Sequence, residues 1–163
     1  MLITVVIGDL AREPVDAVLR PAGAALEPVG ADARRLDEIG GPGFADQRRT
    51  ATPLESGAAV VTGGGALAAA YVLHVVVADE RGPAPREKIR RALVSAWQRA
   101  DDWGLARLAA PLVGAAGGPL TDEEAATLLV ETFPRDGSAR ELRLIVDAAA
   151  RPAVDAIVGR TLG

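Results

Sequence analysis

The chain has 163 residues, a net charge of −4 and no cysteine. We expect residues 1–163 to form a single domain, because this length suffices for one buried core. The mild negative charge argues against general binding of nucleic acid or of a membrane surface. The lack of cysteine excludes disulfides, a thiolate nucleophile and a cysteine-ligated zinc site. No apolar stretch is long enough to span a membrane and MLITVVIGDL does not resemble a leader, so we expect a cytoplasmic location.

Apolar runs separated by turn residues predict alternating strands and helices. Strands are predicted at 2–7, 15–19, 58–62, 71–77, 105–113 and 142–146, with Pro21 ending the second of them. Helices are predicted at 31–39 and 86–103, from Thr121 onward and from Pro152 onward, with a helical turn within 44–50. This alternation is typical of a three-layer α/β/α sandwich with a central mixed, mostly parallel sheet.

His74 is the only histidine and lies inside the most apolar predicted strand. Val72, Leu73 and Val75 beside it leave that strand without a polar face, which is typical of a strand covered on both sides in the middle of a sheet. We therefore interpret His74 as a hydrogen-bonded core residue and not as a catalytic base or a metal ligand.

The stretch 105–133 combines an apolar strand, a glycine-rich turn and a helix. Gly114, Gly117 and Gly118 allow a tight turn and a close approach of the backbone to a ligand. Thr121 followed by Glu124 forms a capping-box pattern, so the helix should begin there. Such a turn before a helix suits a phosphate group, but the pattern fits equally well a tight connection that binds nothing. Neither the P-loop motif nor a clear GxGxxG is present.

Four segments in order, ITVVIGDL, VDAVLRPAG, ESGAAVVTGGGALAAAYVLHVV and LARLAAPLVGAAGGPLTDEEAA, resemble a macro domain, the ADP-ribose-binding α/β/α module. The resemblance covers almost the whole chain. It implies that Asp9 and Leu10 contact adenine, with the Asp9 carboxylate accepting from the adenine amino group. It further implies phosphate and ribose contacts at Gly23, Gly30, Asp32, Gly114, Ala115, Ala116, Gly117 and Gly118.

The chain departs from the macro pattern at several of these positions. Arg20 and Gly23 stand where the family has two asparagines, the second of which serves in ADP-ribosyl hydrolysis, and the chain contains no asparagine. Pro28 removes one N–H from the first phosphate loop. Asp32 falls at the family's second catalytic position, where we predict that it caps the following helix. The segment 147–149, after the last strand, contains no aromatic residue to stack on adenine.

These features leave three hypotheses for the function. The first is a binding module for ADP-ribose or a related nucleotide diphosphate that has no catalytic residue, cofactor or metal. The second is a degenerate macro domain that acts through protein contacts or assembly, for example as a homodimer. The third is an ADP-ribosyl hydrolase that uses Asp32 with a bound water. The lack of asparagine and cysteine agrees with a thermostable protein and equally with a GC-rich genome.

Overall fold

A computed structural model describes residues 1–162. A six-stranded sheet forms the middle of the molecule, in the order β1-β8-β7-β2-β4-β3. Its strands are β1 (Leu2–Ile7), β2 (Ala17–Ala22), β3 (Ala59–Gly63), β4 (Tyr71–Val76), β7 (Arg107–Ala110) and β8 (Glu141–Val146). All neighbouring strands are parallel except β3, which runs antiparallel to β4 at one edge. The predicted mixed, mostly parallel sheet is confirmed.

Helices cover both faces of this sheet and complete the predicted three layers. The helices are α1 (Ala31–Gln47), α2 (Arg86–Asp102), α3 (Asp122–Thr132) and α4 (Arg151–Leu162). On one face, α2, α3 and α4 pack against strand residues such as Leu19, Leu73 and Leu108. On the other face, α1 packs with a short 3₁₀ turn (Leu10–Arg12) against residues such as Val18 and Val72. The fold is therefore the α/β/α sandwich that the alternation predicted.

The second strand extends further than predicted, because Pro21 lies inside β2 and does not end it. The carbonyl of Pro21 accepts from the amide of Val29 and so points away from β4. β7 is paired with β2 only at Ala17 and Val18 and has ended before Pro21 is reached. The missing N–H of proline therefore costs no ladder hydrogen bond at this position.

Two other elements differ in extent from their predictions. β7 covers only Arg107–Ala110 of the predicted 105–113, because Pro111 cannot donate to a ladder. The predicted stop of the first helix at the Gly40–Gly41 pair appears as a break inside α1. Gly41 has φ 72° and ψ −167° there, a conformation that glycine tolerates. The short hairpin of β5 (Ala78–Asp79) and β6 (Gly82–Pro83) is absent from the sequence prediction.

Candidate functional site

A cavity of about 510 Å³ opens at the carboxyl ends of β1, β7 and β8. Ligands of parallel α/β sheets bind at this end of the strands. The first turn of α1, the segment before α3 and the segment before α4 complete its wall. The lining residues are Ile7, Gly8, Ala31, Asp32, Leu112, Ala115, Ala116, Asp122, Ile145, Val146, Asp147, Ala148 and Ala150.

Two loops meet beside this cavity, the first loop (residues 28–30) and the second loop (residues 114–118). A Cβ at Gly30 would lie 3.2 Å from the Cβ of Ala116, and one at Gly117 would lie 3.2 Å from Cγ1 of Val29. Both glycines have positive φ, 89° at Gly30 and 72° at Gly117. Side chains other than hydrogen are therefore excluded here by crowding and by backbone conformation together.

Three backbone amides at this junction are available to a ligand. Within residues 1–162, the amides of Gly30, Ala116 and Gly117 donate to no protein oxygen, whereas those of Ala115 and Gly118 close turns inside the second loop. The three free donors lie next to the N-termini of α1 and α3. Free N–H groups at helix N-termini attract anions, because the helix dipole is positive there.

The start of α3 forms as its sequence predicts. The hydroxyl of Thr121 accepts from the amide of Glu124 at 3.1 Å, and the carboxylate of Glu124 accepts from the amide of Thr121 at 3.0 Å. The amide of Leu120 donates to the carbonyl of Gly114 at 3.0 Å, so the helix start is tied to the second loop. The predicted capping box is confirmed, and it fixes one wall of the cavity.

The predicted phosphate and ribose residues fall into two groups. Asp32, Ala115 and Ala116 line the cavity. The remaining glycines of the two loops shape the backbone behind it; at Gly118, for example, a Cβ would overlap the carbonyl oxygen of Gly114. Gly23 lies apart from the lining, with the carboxylate of Glu27 over its Cα.

The predicted adenine residues, Asp9 and Leu10, stand at the end of β1, next to the lining residue Gly8. Leu10 is buried at 2% exposure. Asp9 caps the 3₁₀ turn: its Oδ1 accepts from the amide of Ala11 at 3.1 Å and its Oδ2 from Nη2 of Arg35 at 3.1 Å. Partial burial opposes ionisation of Asp9, but the bonds from Arg35 and Ala11 outweigh it, and the pKa of this carboxyl is lowered.

Asp32 does not cap α1, which corrects the sequence prediction. Gly30 occupies the N-cap position, and Asp32 is the second residue of the helix. The short first loop brings the chain into the helix at a glycine with positive φ, so the aspartate moves into the first turn. Desolvation raises the pKa of Asp32, and the nearby charges of Asp9 and Asp147 raise it further.

The cavity is more acidic than the sequence analysis recognised. Asp32, Asp122 and Asp147 all line it, and no lysine or arginine within residues 1–162 does so. Asp122 and Asp147 are individually explained by their helix starts; the amide of Ala150, for instance, donates to Oδ1 of Asp147 at 2.8 Å. Only the spatial approach of three loops brings these carboxylates together. Ile7, half-exposed at the end of β1, is a further lining residue that the sequence analysis missed.

A second polar group lies inside the protein, between the sheet and α1. This buried polar cluster consists of Arg20, Asp37, Arg48, Thr62 and His74. The side chain of Arg20 is 0% exposed, and its Nε and Nη2 donate to the two carboxylate oxygens of Asp37 at 2.8 and 3.0 Å. Nη1 of Arg48 donates to the same carboxylate at 3.2 Å. Arg20, at the first asparagine position of the resemblance, is therefore a core residue here.

His74 is buried as predicted and completes this cluster. A guanidinium can only donate, so Nη1 of Arg20 donates to Nδ1 of His74 at 3.2 Å. Nε2 of His74 must then carry the hydrogen and donate to the hydroxyl of Thr62 at 2.7 Å. Burial, then the charges of Arg20 and Arg48, lower the pKa of His74 to about 3. This ring is neutral at physiological pH.

Two searches over the described part of the chain bear on other classes of site. Within residues 1–162, no three His, Cys, Asp or Glu side chains are grouped so that they could hold a metal ion. In the same residues, no helix combines the length and the apolar character that crossing a membrane requires.

Comparison with known protein families gives one match, and sequence comparison gives several relatives. The model described as Macro domain matches residues 23–129. An uncharacterized protein of Aeropyrum pernix is 31% identical over 142 residues, which are 82% of this chain and 75% of that protein. An uncharacterized protein of Mycobacterium tuberculosis is 30% identical over 88% of this chain. The match spans only 41% of the length of that mycobacterial relative.

Solved structures share the fold at low sequence identity. The macrodomain of Trypanosoma brucei in complex with ADP has a TM-score of 0.82 and 20% identity, over 97% of this chain and 69% of that one. A mutant macrodomain of Oceanobacillus iheyensis with ADPR has a TM-score of 0.78 and 14% identity, over 97% of this chain and 92% of that one.

Proposed function

Because this chain belongs to the macro domain family, we propose that it binds ADP-ribose or a related nucleotide diphosphate in the cavity at the carboxyl end of the sheet, without hydrolysing it. The observation that carries the proposal is the junction of the two loops, where Gly30, Ala116 and Gly117 keep free amides beside two helix N-termini. Fold neighbours solved with ADP and with ADPR support this class of ligand.

The diphosphate lies, in this proposal, across the junction of the two loops. The donors come from the main chain, so the side chains of Ala115 and Ala116 contribute little beyond contact. Gly30 and Gly117 are essential, because any larger residue would separate the loops or occupy the place of the diphosphate. Pro28 carries no N–H, so the first loop contributes fewer donors than the second.

The adenine lies, in this proposal, at the end of β1. Its amino group donates to the carboxylate of Asp9, which already accepts from Arg35 and Ala11. Each carboxylate oxygen has room for a second hydrogen bond, so these partners orient Asp9 without using its full capacity. Leu10 is almost fully buried and supports the adenine site through the packing of the 3₁₀ turn.

The expected lack of catalysis rests on two positions. Gly23 has no side chain at the asparagine position that the resemblance associates with hydrolysis, and the chain has no asparagine to replace it. Arg20, at the other asparagine position, directs its guanidinium into the buried polar cluster. Asp32 is the one family catalytic position that retains a side chain able to move a proton.

Calorimetry with ADP-ribose tests the binding proposal. We expect Gly117→Val to weaken binding at least about tenfold, because valine tolerates positive φ poorly and would meet Val29. Gly104→Val is the matched control: Gly104 also has positive φ, 64°, but nothing lies within 4 Å of its would-be Cβ. That variant should lose stability and keep its affinity.

Asp9→Ala tests the adenine end in the same titration. Loss of the acceptor should cost about 1–3 kcal/mol of binding free energy, some five- to over a hundredfold in affinity. If Gly117→Val and Asp9→Ala both bind as tightly as the wild type, the ligand lies elsewhere. If the wild type gives no heat with any nucleotide at about millimolar concentration, the hypothesis of protein contacts or assembly replaces this one.

A hydrolysis assay tests the expected lack of catalysis. The purified protein should not release ADP-ribose from a modified acceptor or cleave its esters. Turnover that disappears in Asp32→Ala, in a variant whose circular dichroism shows an intact fold, would instead support hydrolysis through Asp32 and a water molecule.

A further inference from the structure

The charges around the cavity oppose the ligand proposed for it. Asp32, Asp122 and Asp147 line the cavity, and no cationic side chain within residues 1–162 does. A diphosphate diester carries two negative charges, which the loop amides stabilise only as dipoles. Each carboxylate within several ångströms of those charges adds repulsion, and this repulsion is strong wherever water is displaced.

Asp32 differs from the other carboxylates of this region in having no partner. Oδ2 of Asp9 accepts from Arg35 and also lies 3.4 Å from Nε of Arg12. Oδ1 of Asp147 accepts from the amide of Ala150. No side-chain or loop donor within residues 1–162 lies within hydrogen-bonding distance of the Asp32 carboxylate, which faces Asp9 and Asp147. Asp32 is the acid whose charge is least supported.

We propose that Asp32 takes up a proton from solvent when a diphosphate enters the cavity, and that this residue thereby sets the charge of the ligand that the site accepts. This inference rests on the proposed function, since it concerns the same cavity and ligand class. A protonated carboxyl removes one negative charge from the wall and adds an O–H donor, which can bond to a phosphate oxygen. Both changes favour the bound anion.

The groups facing Asp32 support uptake at this residue in particular. Asp9 faces it from the turn after β1, Asp147 from the segment before α4, and Asp122 lines the same cavity from α3. Desolvation and the charges of Asp9 and Asp147 raise the pKa of Asp32 even without ligand. The cations of the region are engaged elsewhere: Arg12 and Arg35 pair with Asp9, and Arg151 pairs with Asp155. An incoming diphosphate would raise the pKa of Asp32 further.

Calorimetric titration with ADP-ribose at two pH values tests this inference. Each phosphate of ADP-ribose is a diester, so the ligand keeps its charge across the range. We expect the wild type to bind about two- to tenfold more tightly near pH 5.5 than near pH 8. Titrations in two buffers of unequal ionisation enthalpy at one pH should reveal net uptake of protons. His74 stays neutral throughout this range, because its pKa is about 3.

Three variants locate the proton. Asp32→Asn should bind about three- to tenfold more tightly than the wild type near pH 8 and should lose both the pH dependence and the proton uptake. Asp122→Asn should also bind more tightly but keep the proton uptake, because Asp32 remains. Asp102→Asn removes an exposed charge paired with Arg99, outside the cavity lining, and should behave like the wild type.

The outcomes separate this inference from the proposed function. If ADP-ribose binds with equal affinity at both pH values and without proton uptake, the inference is wrong and the binding proposal stands. If uptake persists in Asp32→Asn, the proton goes to another group and the assignment to Asp32 is wrong. If ADP-ribose does not bind near pH 5.5 or near pH 8, the proposed function itself fails.

Discussion

Two polar regions of this protein use similar residues in opposite ways. In the buried polar cluster, the charge of Arg20 meets the two oxygens of Asp37, and His74 is bonded at both ring nitrogens. At the cavity, three carboxylates face one another and Asp32 has no partner. A satisfied buried network holds a structure together, whereas polar groups left without partners in a cavity indicate a place for a ligand. The first region therefore serves stability and the second serves binding.

The largest expected effect comes from breaking the buried polar cluster. Asp37→Ala leaves the fully buried guanidinium of Arg20 without a carboxylate and should lower the free energy of unfolding by about 3–5 kcal/mol. Urea denaturation measures this loss. Asp46→Ala is the matched control on the same helix; its carboxylate pairs with Arg49 in an exposed ion pair, so its loss should stay within about 0.5 kcal/mol. Equal losses in the two variants would contradict the division drawn above.

A smaller effect appears in the dependence of stability on pH. His74 has a pKa of about 3 in the folded protein and an ordinary pKa of 6.5 when unfolded, so the unfolded chain binds more protons between these values. Stability from this residue is therefore complete above pH 6.5 and falls toward pH 3, by up to about 1.4 kcal/mol per pH unit.

Urea denaturation of the wild type and of His74→Gln across this range isolates the effect of the histidine. The variant should lack that part of the slope, while the carboxylates contribute equally to both proteins. His74→Leu should still bind any ligand of the wild type, because His74 lies outside the cavity lining. Loss of nucleotide binding in a folded His74→Leu protein would show that the buried polar cluster also serves the site.

The smallest effect concerns the cavity wall at the start of α3. Thr121→Ala removes the N-cap acceptor for the amide of Glu124 and should cost about 1 kcal/mol of stability. Hydrogen exchange should accelerate first at the amides of 122–124, next to the cavity. Thr127→Ala is the control inside the same helix, where alanine is the better helix former and little stability should be lost. A global change in exchange for Thr121→Ala would mean that this wall is part of the core.

Local patterns predicted most of the fold, because each element carries its own signal. Thr121 and Glu124 lie three residues apart, and the break of α1 occurs at Gly41, within the predicted stop. The position of Pro21 inside β2 was not predictable in this way. It depends on where β7 ends, some ninety residues further along the chain.

The two polar regions were harder to predict than the fold, because both depend on contacts between distant segments. The sequence marks His74 as a core residue but gives no sign that Arg20, in a strand, pairs with Asp37, in a helix. Asp122 and Asp147 each look like residues of a helix start. Their shared cavity with Asp32 follows only from the arrangement of three loops around the sheet end.

The break of α1 at Gly41 has a consequence for the edge of the sheet. Beyond the break the helix continues to Gln47, whose side-chain oxygen accepts from the amide of Gly63 at 3.2 Å. Gly63 ends β3, an edge strand, and a free amide there could pair with a strand of another molecule. The helix thus supplies a side chain as the last partner of this edge. Gly41 thereby helps to guard the protein against extension of its sheet and against aggregation.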